Sequence, residues 1–380
     1  MQKCNALQKK YMQEIQNGEF AEMFKFLKLY DAHLHAERGR RSRQDVALYK
    51  YSLEDNLLNT EDELMEETYE VGRYHRFFVY EPKKRLVMSL QYRDRVVQWA
   101  IYQKLMPFYD KMFIFDSYAC RIGKGSHAAS NRLQYWLRAI HRKPGKWYYL
   151  KLDISKYFYR VDHEILIQIL KRRIKDEKLM RLLERIINGK EPFGLPPGIG
   201  PDELPREEWL NTAGMPIGNL TSQLFANIYL NELDQYCKHE LHIRYYVRYM
   251  DDVIILANDK RKLHEYEDKI RVFLKDNLRL DLNSKTAIRP VEMGIEFVGF
   301  RTWGTYKRIK KSTAKRMKRS VKHLTMLLAT KQIIREHFDR CMASYSGILK
   351  QAKADHLKAK LNEIYTETMK QYRGEQNETQ

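Results

Sequence analysis

The 380-residue chain is 43% hydrophobic and 31% charged, a globular balance with enough apolar material for a core shared among two or three subdomains. Lys and Arg number 69 against 49 Asp and Glu, and a net charge of +20 raises the expectation of a polyanionic partner, nucleic acid or an anionic surface. Cys4, Cys120, Cys237 and Cys341 lie far apart with no CxxC pair, which argues against a zinc site or a disulfide framework. No apolar run reaches membrane-spanning length and the N-terminus lacks a signal-peptide core, so a reducing, cytoplasmic setting is expected.

Residues 1–70 read as helical and strongly charged, with Leu53, Leu57, Leu58 and Leu64 at helical spacing. The basic knot Arg38-Gly39-Arg40-Arg41-Ser42-Arg43 interrupts them, as a grip for phosphates or as a solvated loop. Alternation around Phe77–Tyr80 and Leu86–Leu90 predicts a β-hairpin whose turn carries Lys83, Lys84 and Arg85. Cations at such a tip suit the β- and γ-phosphates of a triphosphate, although an ordinary charged turn has the same pattern. An amphipathic helix follows from Tyr92 to Phe108, then a loop into another helix. The loop holds Arg121, Gly123, Lys124, Gly125, Ser126 and His127. It is not a Walker motif, and contact with a template backbone is weighed against a plain helix-opening loop.

The run Trp147–Leu152 predicts an apolar strand ending on Asp153, with Tyr157 and Phe158 one turn further on, where an aromatic ring would meet a ribose. Residues 190–211 are rich in Pro and Gly and read as a loop. Gly214, Pro216 and Gly218 make a turn into a helix with Leu220, Leu224, Ile228 and Leu233 near-periodic on one face. In YVRYMDDVIILA, residues 246–257, two β-branched apolar runs flank Asp251 and Asp252. A hairpin of this kind lifts two acids to its tip, a costly placement unless a cation neutralises them, and hard carboxylate oxygens suit Mg²⁺. Asp is also common in polar turns, so the pair alone decides nothing; Asp153 supplies a third carboxylate. A charged helix over 259–275, strands flanking Lys285, a basic stretch from Lys307 to Lys322 and helices to about Lys370 complete the reading, with the last ten residues expected to be disordered. The 26 Tyr and 15 Phe, interleaved with basic residues, suit base stacking, though most are expected in the core.

Taken in order, EPKKR, LDISKYF, GMPIGNLTSQ, YMDD, SKT and EFVGF, followed by a basic helical region, resemble a reverse transcriptase over about residues 30–355. Ile217 stands where most bacterial relatives, group II intron and retron enzymes among them, have Gln. With RDRVVQWAIY, FDSYACRIGKGSHAA and SYSGILKQA, that variant is similar to the reverse transcriptases of diversity-generating retroelements. Those enzymes copy a template-repeat RNA with errors at adenines, and the cDNA replaces a variable repeat in a target gene.

The resemblance implies an α+β right-hand polymerase fold. It divides the chain into an N-terminal helical basic extension (1–70), fingers (71–145), a palm of antiparallel sheet plus helices (146–300, with a fingers-like insert around 165–213), a helical thumb (301–365) and a disordered tail (366–380). It implies two Mg²⁺ ions, with Mn²⁺ as a substitute, held by Asp153, Asp251, Asp252 and the Ile154 backbone carbonyl. Lys83, Arg85, Phe158, Ile217, Gly218 and Lys285 would bind the dNTP, with Lys285 either protonating pyrophosphate or purely structural. Phe158, or second to it Tyr157, would be the steric gate, and Ile217 and Arg85 would set fidelity. Nucleic-acid contacts would fall to Arg38, Arg40, Arg41, Arg121, Lys124, Lys310, Lys311, Lys315, Arg316 and Arg319. Expected partners are template RNA, the RNA/cDNA duplex, dNTPs and a small basic accessory variability protein. The alternatives are a group II intron-like, retron or antiphage-defence enzyme and, opposed by the presence of three acids, a catalytically silent RNA binder.

Overall fold

Helical and strand periodicities resolve into an α+β fold, in a computed structural model that describes residues 14–80 and 84–377. In chain order these are α1 (Glu19–Met23), α2 (Phe26–Ala36), α3 (Gln44–Tyr51), α4 (Leu53–Met65), β1 (His75–Val79), β2 (Arg85–Ser89), α5 (Tyr92–Asp110), α6 (Ser126–His141) and β3 (Tyr148–Asp153). Next come α7 (Tyr157–Arg160), α8 (His163–Lys171), α9 (Glu177–Asn188), α10 (Leu220–Gln235), β4 (Tyr246–Tyr249), β5 (Asp252–Ala257) and α11 (Lys260–Leu278). Four short strands, β6 (Ala287–Pro290), β7 (Ile295–Phe297), β8 (Phe300–Thr302) and β9 (Lys307–Ile309), lead to α12 (Lys311–Ala329), α13 (Arg335–Leu349) and α14 (Asp355–Asn377). The chain forms two compact units, each drawn from three separate segments. The first comprises residues up to Arg121, Leu152–Arg244 and Glu265–Thr286; the second comprises Ile122–Lys151, Tyr245–His264 and Ala287–Gln380.

In the first unit, β1 and β2 pair antiparallel with Phe77 opposite Val87 and Phe78 opposite Leu86. Period 2 turns Leu86 and Met88 of β2 inward, onto a cluster with Tyr159, Phe193, Leu195 and Trp209, whereas β1 is exposed along its length. The Pro- and Gly-rich stretch 190–211 is a loop, as expected, and it packs into this core. Phe193 stacks on Tyr159 at 4.8 Å and 15°, Trp209 meets Tyr159 edge-on at 5.9 Å, and the Leu195 N–H donates to the Tyr159 carbonyl at 3.0 Å. Its Pro and Gly content permits tight bends around the three large apolar side chains Phe193, Leu195 and Trp209. Helix α10 departs from the one-face expectation as well. Its buried residues, among them Ser222, Phe225, Asn227 and Tyr229, lie all around the axis, as in a helix at the centre of a core. It continues into a π-helical turn, Tyr236–Glu240, where Tyr236 stacks on Phe273 at 4.2 Å.

Gly218 illustrates how local backbone serves packing here. Its φ is +120°, and a Cβ would sit 3.0 Å from Val87 Cγ1 and 3.1 Å from the Met88 carbonyl oxygen. The glycine thus lets the turn before α10 approach β2, which the Met88 N–H seals by donating to the Ile217 carbonyl at 2.9 Å. Gly218→Ala is expected to lower stability by more than about 1 kcal/mol, read from urea unfolding.

In the second unit the four-stranded sheet has the order β4-β5-β3-β6, with β4–β5 and β3–β6 antiparallel. A three-stranded antiparallel sheet follows in the order β7-β8-β9. Helices α12 and α14 pack together around Met317, Val321 and Leu361, with Tyr345 and Ile348 of α13 against them. Helix α14 runs to Asn377, which corrects the expectation of a disordered tail from residue 366. Leu361 and Ile364 hold the helix on the bundle up to that point, and Thr368 is buried beyond it.

Candidate active site

The β4–β5 register places Tyr249 opposite Asp252, which leaves a two-residue turn of Met250 and Asp251. Met250 takes the left-handed conformation (φ +53°) that such a tight connection demands. Asp251 therefore stands on the turn and Asp252 is the first residue of β5; both are half-buried. Two cations that sequence reasoning passed over support this hairpin. Lys151 of β3 donates to Asp252 Oδ2 at 3.0 Å and to the Glu296 carbonyl at 2.8 Å. Arg248 of β4 is wholly buried, and its Nη1 donates to the Met250 carbonyl at 3.1 Å. The available signal was a charged residue inside an apolar strand: Lys151 two residues before Asp153, and Arg248 between Val247 and Tyr249.

Asp153 ends β3, half-buried, and its carbonyl accepts from the Asn283 N–H at 2.7 Å. Ile154 is buried and bridges to Leu282, so the chain leaving the strand is held on both sides of the acid. Tyr157 is the first correction among the site residues. It is 2% exposed and its hydroxyl donates to the Ala226 carbonyl of α10 at 2.6 Å, so it anchors that helix and is not free to meet a ribose. Phe158 is half-buried, its ring 5.6 Å from that of Tyr157, and its carbonyl accepts from the Met215 N–H at 2.7 Å.

Ile217 packs half-buried against the Leu86–Met88 cluster, and Tyr74 of the same cluster has its phenol pushed up to about 12 by burial. Arg85 opens β2, is exposed and pairs with Val79; Lys83 lies outside the described residues. Lys84 binds Asp202 at 2.5 Å and covers the Phe78 ring at 4.9 Å. Lys285 is exposed, with its main-chain N–H donating to Asn283 Oδ1 at 3.1 Å.

Of the basic residues expected on nucleic acid, Arg121 is corrected. Its side chain is 6% exposed and is spent on Asp110 (2.6 Å) and on the carbonyls of Ile114 and Ser117, closing the loop after α5. A basic loop pattern does not reveal that its guanidinium turns inward. Arg38 and Arg41 are exposed, Arg41 pairing with buried Glu37 at 3.0 Å, and Arg40 is half-buried with its pKa lowered by burial and then by Arg43. Lys124 is half-buried, and Lys310 pairs with Glu296 at 3.0 Å. Lys311, Lys315 and Arg319 are exposed on α12, with Arg316 half-buried beside them. Among the described residues, no group of three His, Cys, Asp or Glu side chains is gathered closely enough to hold a metal ion. The donors on offer for one are carboxylate oxygens, the hard ligands that suit Mg²⁺.

Residues 81–302, more than half of the chain, match the family described as reverse transcriptase (RNA-dependent DNA polymerase), and the chain belongs to that family. It is 30% identical over 247 residues to Protein YkfC of Escherichia coli (strain K12), covering 55% of this chain and 60% of that one. It is 24% identical over 306 residues to the Group II intron-encoded protein LtrA of Lactococcus lactis subsp. cremoris, covering 62% of this chain and 48% of that one. The chain thus spans about half to three-fifths of the length of these relatives. A solved telomerase from Candida albicans, in complex with a fragment of telomeric RNA, matches with a TM-score of 0.42 and 11% identity, covering 82% of this chain and 62% of that one. No helix among the described residues is long and apolar enough to cross a membrane.

Proposed function

We propose that the chain is an RNA-directed DNA polymerase that adds deoxynucleotides to a primer on an RNA template. The observation that carries this reading is the β4–β5 hairpin, which sets Asp251 on a two-residue turn and Asp252 on the strand that follows. Asp153 and Asp251, with Asp252 in a lesser part because Lys151 already meets it, are the residues that would hold Mg²⁺. When bound, the metal supplies Lewis-acid activation of the primer hydroxyl and charge neutralisation on the triphosphate. The chain's own groups then position substrate, which in phosphoryl transfer matters more than covalent chemistry. Arg85, helped by Lys83, meets the triphosphate; Phe158 lies against the sugar as the gate that excludes a 2′-hydroxyl; Lys285 stands by for the leaving pyrophosphate. The expected division into fingers, palm and thumb belongs to the same proposal.

The finer reading is an enzyme of the diversity-generating retroelement type, working with template-repeat RNA and a small basic accessory protein. It rests on Ile217, half-buried on the β2 cluster with an aliphatic side chain where Gln would offer hydrogen bonds. Discrimination by shape alone is weaker than discrimination by buried polar pairing. The likeness to a group II intron-encoded protein supports the competing reading, in which the same chemistry serves an intron. Primer extension by purified protein on an RNA template with Mg²⁺, followed by sequencing of the cDNA, separates them. Errors concentrated opposite template adenines support the retroelement type, and Ile217→Gln is then expected to reduce them about tenfold, one hydrogen bond's worth of discrimination. Accurate cDNA from the parent protein favours the intron-type reading. No product, even with the accessory partner and the RNA's own flanking sequence, would oppose both.

A further inference from the structure

The second unit contains a cavity lined by none of the residues assigned to polymerisation above. It measures about 340 Å³, within the range of roughly 300–1,000 Å³ typical of small-ligand sites. Trp147, Trp303 and Tyr306 line it, together with exposed His141, Lys143 and Glu292. The β8–β9 connection builds one wall: the Trp303 and Tyr306 rings stack at 4.7 Å and 19°, and the Trp303 indole N–H donates to the Glu292 carbonyl at 3.0 Å. Gly294 makes room for that indole, because a Cβ there would lie 2.3 Å from Trp303 Cε2. Cations cover these rings. Arg308 lies 5.3 Å from the Tyr306 centroid, Arg301 lies 5.5 Å from that of Trp303, and Lys143 lies 5.8 Å from that of Trp147. Trp147 leaves its own indole N–H without an acceptor among the described residues. From Arg138 to Lys146 the chain carries four Lys and Arg and no acid.

Flat π surfaces bordered by Arg and Lys match a nucleotide in both of its parts: rings for the base, cations for the phosphate. This is the combination by which single strands are held without regard to sequence. A space of this size takes one unpaired nucleotide and is too small for a base pair with its two backbones. An acidic peptide would satisfy the cations but would leave the aromatic wall without a flat partner. We propose that this cavity is a single-strand anchor that receives one unpaired nucleotide of a bound polynucleotide, its base on the Trp303–Tyr306 wall and its phosphates near Lys143. The proposal goes beyond the polymerase reading, and its test involves no polymerisation, so either can fail without the other.

The test is fluorescence anisotropy of the full chain with a short unstructured single-stranded RNA, the same sequence as DNA, and the annealed duplex. Trp303→Leu is expected to weaken single-strand binding by about five- to a hundredfold, the loss of one base–aromatic stack, with duplex affinity unchanged. Lys143→Met, a change on the exposed surface that leaves the core intact, is expected to act in the same direction more weakly. Photo-crosslinks from the single strand should map to peptides containing Trp303 or Tyr306. The RNA and DNA arms show whether the anchored strand is template or cDNA. Unchanged single-strand affinity in Lys143→Met and Trp303→Leu, or an equal loss of duplex affinity in Lys143→Met, overturns the proposal.

Discussion

Purified Asp251→Asn protein is expected to lose primer extension by about 10³-fold or more, the upper end of what removing one preorganised charge costs an enzyme. Its affinity for RNA and its urea midpoint are expected to stay where they are in the parent. The substitution keeps the shape of the side chain and removes only its charge. Asp251 sits on a two-residue turn whose conformation is set by Met250 at φ +53° and by the pairing of Tyr249 with Asp252. The basic helix α12 and the exposed cations near Arg38 are untouched by the change. Loss of RNA binding together with extension would instead show that Asp251 holds the fold.

Arg248→Met is expected to destabilise the protein by about 1.5–3 kcal/mol, the value of a hydrogen bond to a charged group, and to lower extension with it. A guanidinium keeps its charge at any ordinary pH, so a wholly buried arginine must be met by acceptors around it. One of those acceptors is the Met250 carbonyl, one residue before Asp251. Methionine fills much of the volume and leaves that carbonyl without its donor. Arg248→Lys keeps a charge but not the planar fork, and is expected to rescue poorly. Urea unfolding gives the stability and primer extension the function. Parent-like values for both in Arg248→Met would mean that the turn is held without the guanidinium.

The strands around Asp251 were legible because apolar alternation breaks at one place only, and β2 was legible because Leu86 and Met88 turn inward at period 2. Legibility failed where a polar or aromatic residue has two destinations that composition cannot separate. Tyr157 and Phe158 are adjacent aromatics, yet one hydroxyl reaches Ala226 and is buried, while the other ring is only half-buried. Arg121 stood among glycines like a phosphate ligand, and long-range geometry alone turns it onto Asp110. The same limit hid Lys151 and Arg248, whose partners are defined only once strands are paired. Residues 190–211 are the loop that was expected, and their packing was hidden for a related reason. Proline and glycine report how a backbone bends, but not whether Phe193, Leu195 and Trp209 find a core to enter.

Neither compact unit is a contiguous piece of chain, and this governs how the protein can be made. The first unit is complete only when Glu265–Thr286 has been added, and the second only with the residues that follow Ala287. At about 5–20 residues per second, a ribosome needs on the order of 15–60 s to reach Thr286. During that interval the nascent chain carries apolar strands such as β3 without all of their neighbours. Production should therefore benefit from slower synthesis or added chaperones. A fragment ending just after Thr286 would hold every segment of the first unit and would leave β3 without β6, its partner on one side.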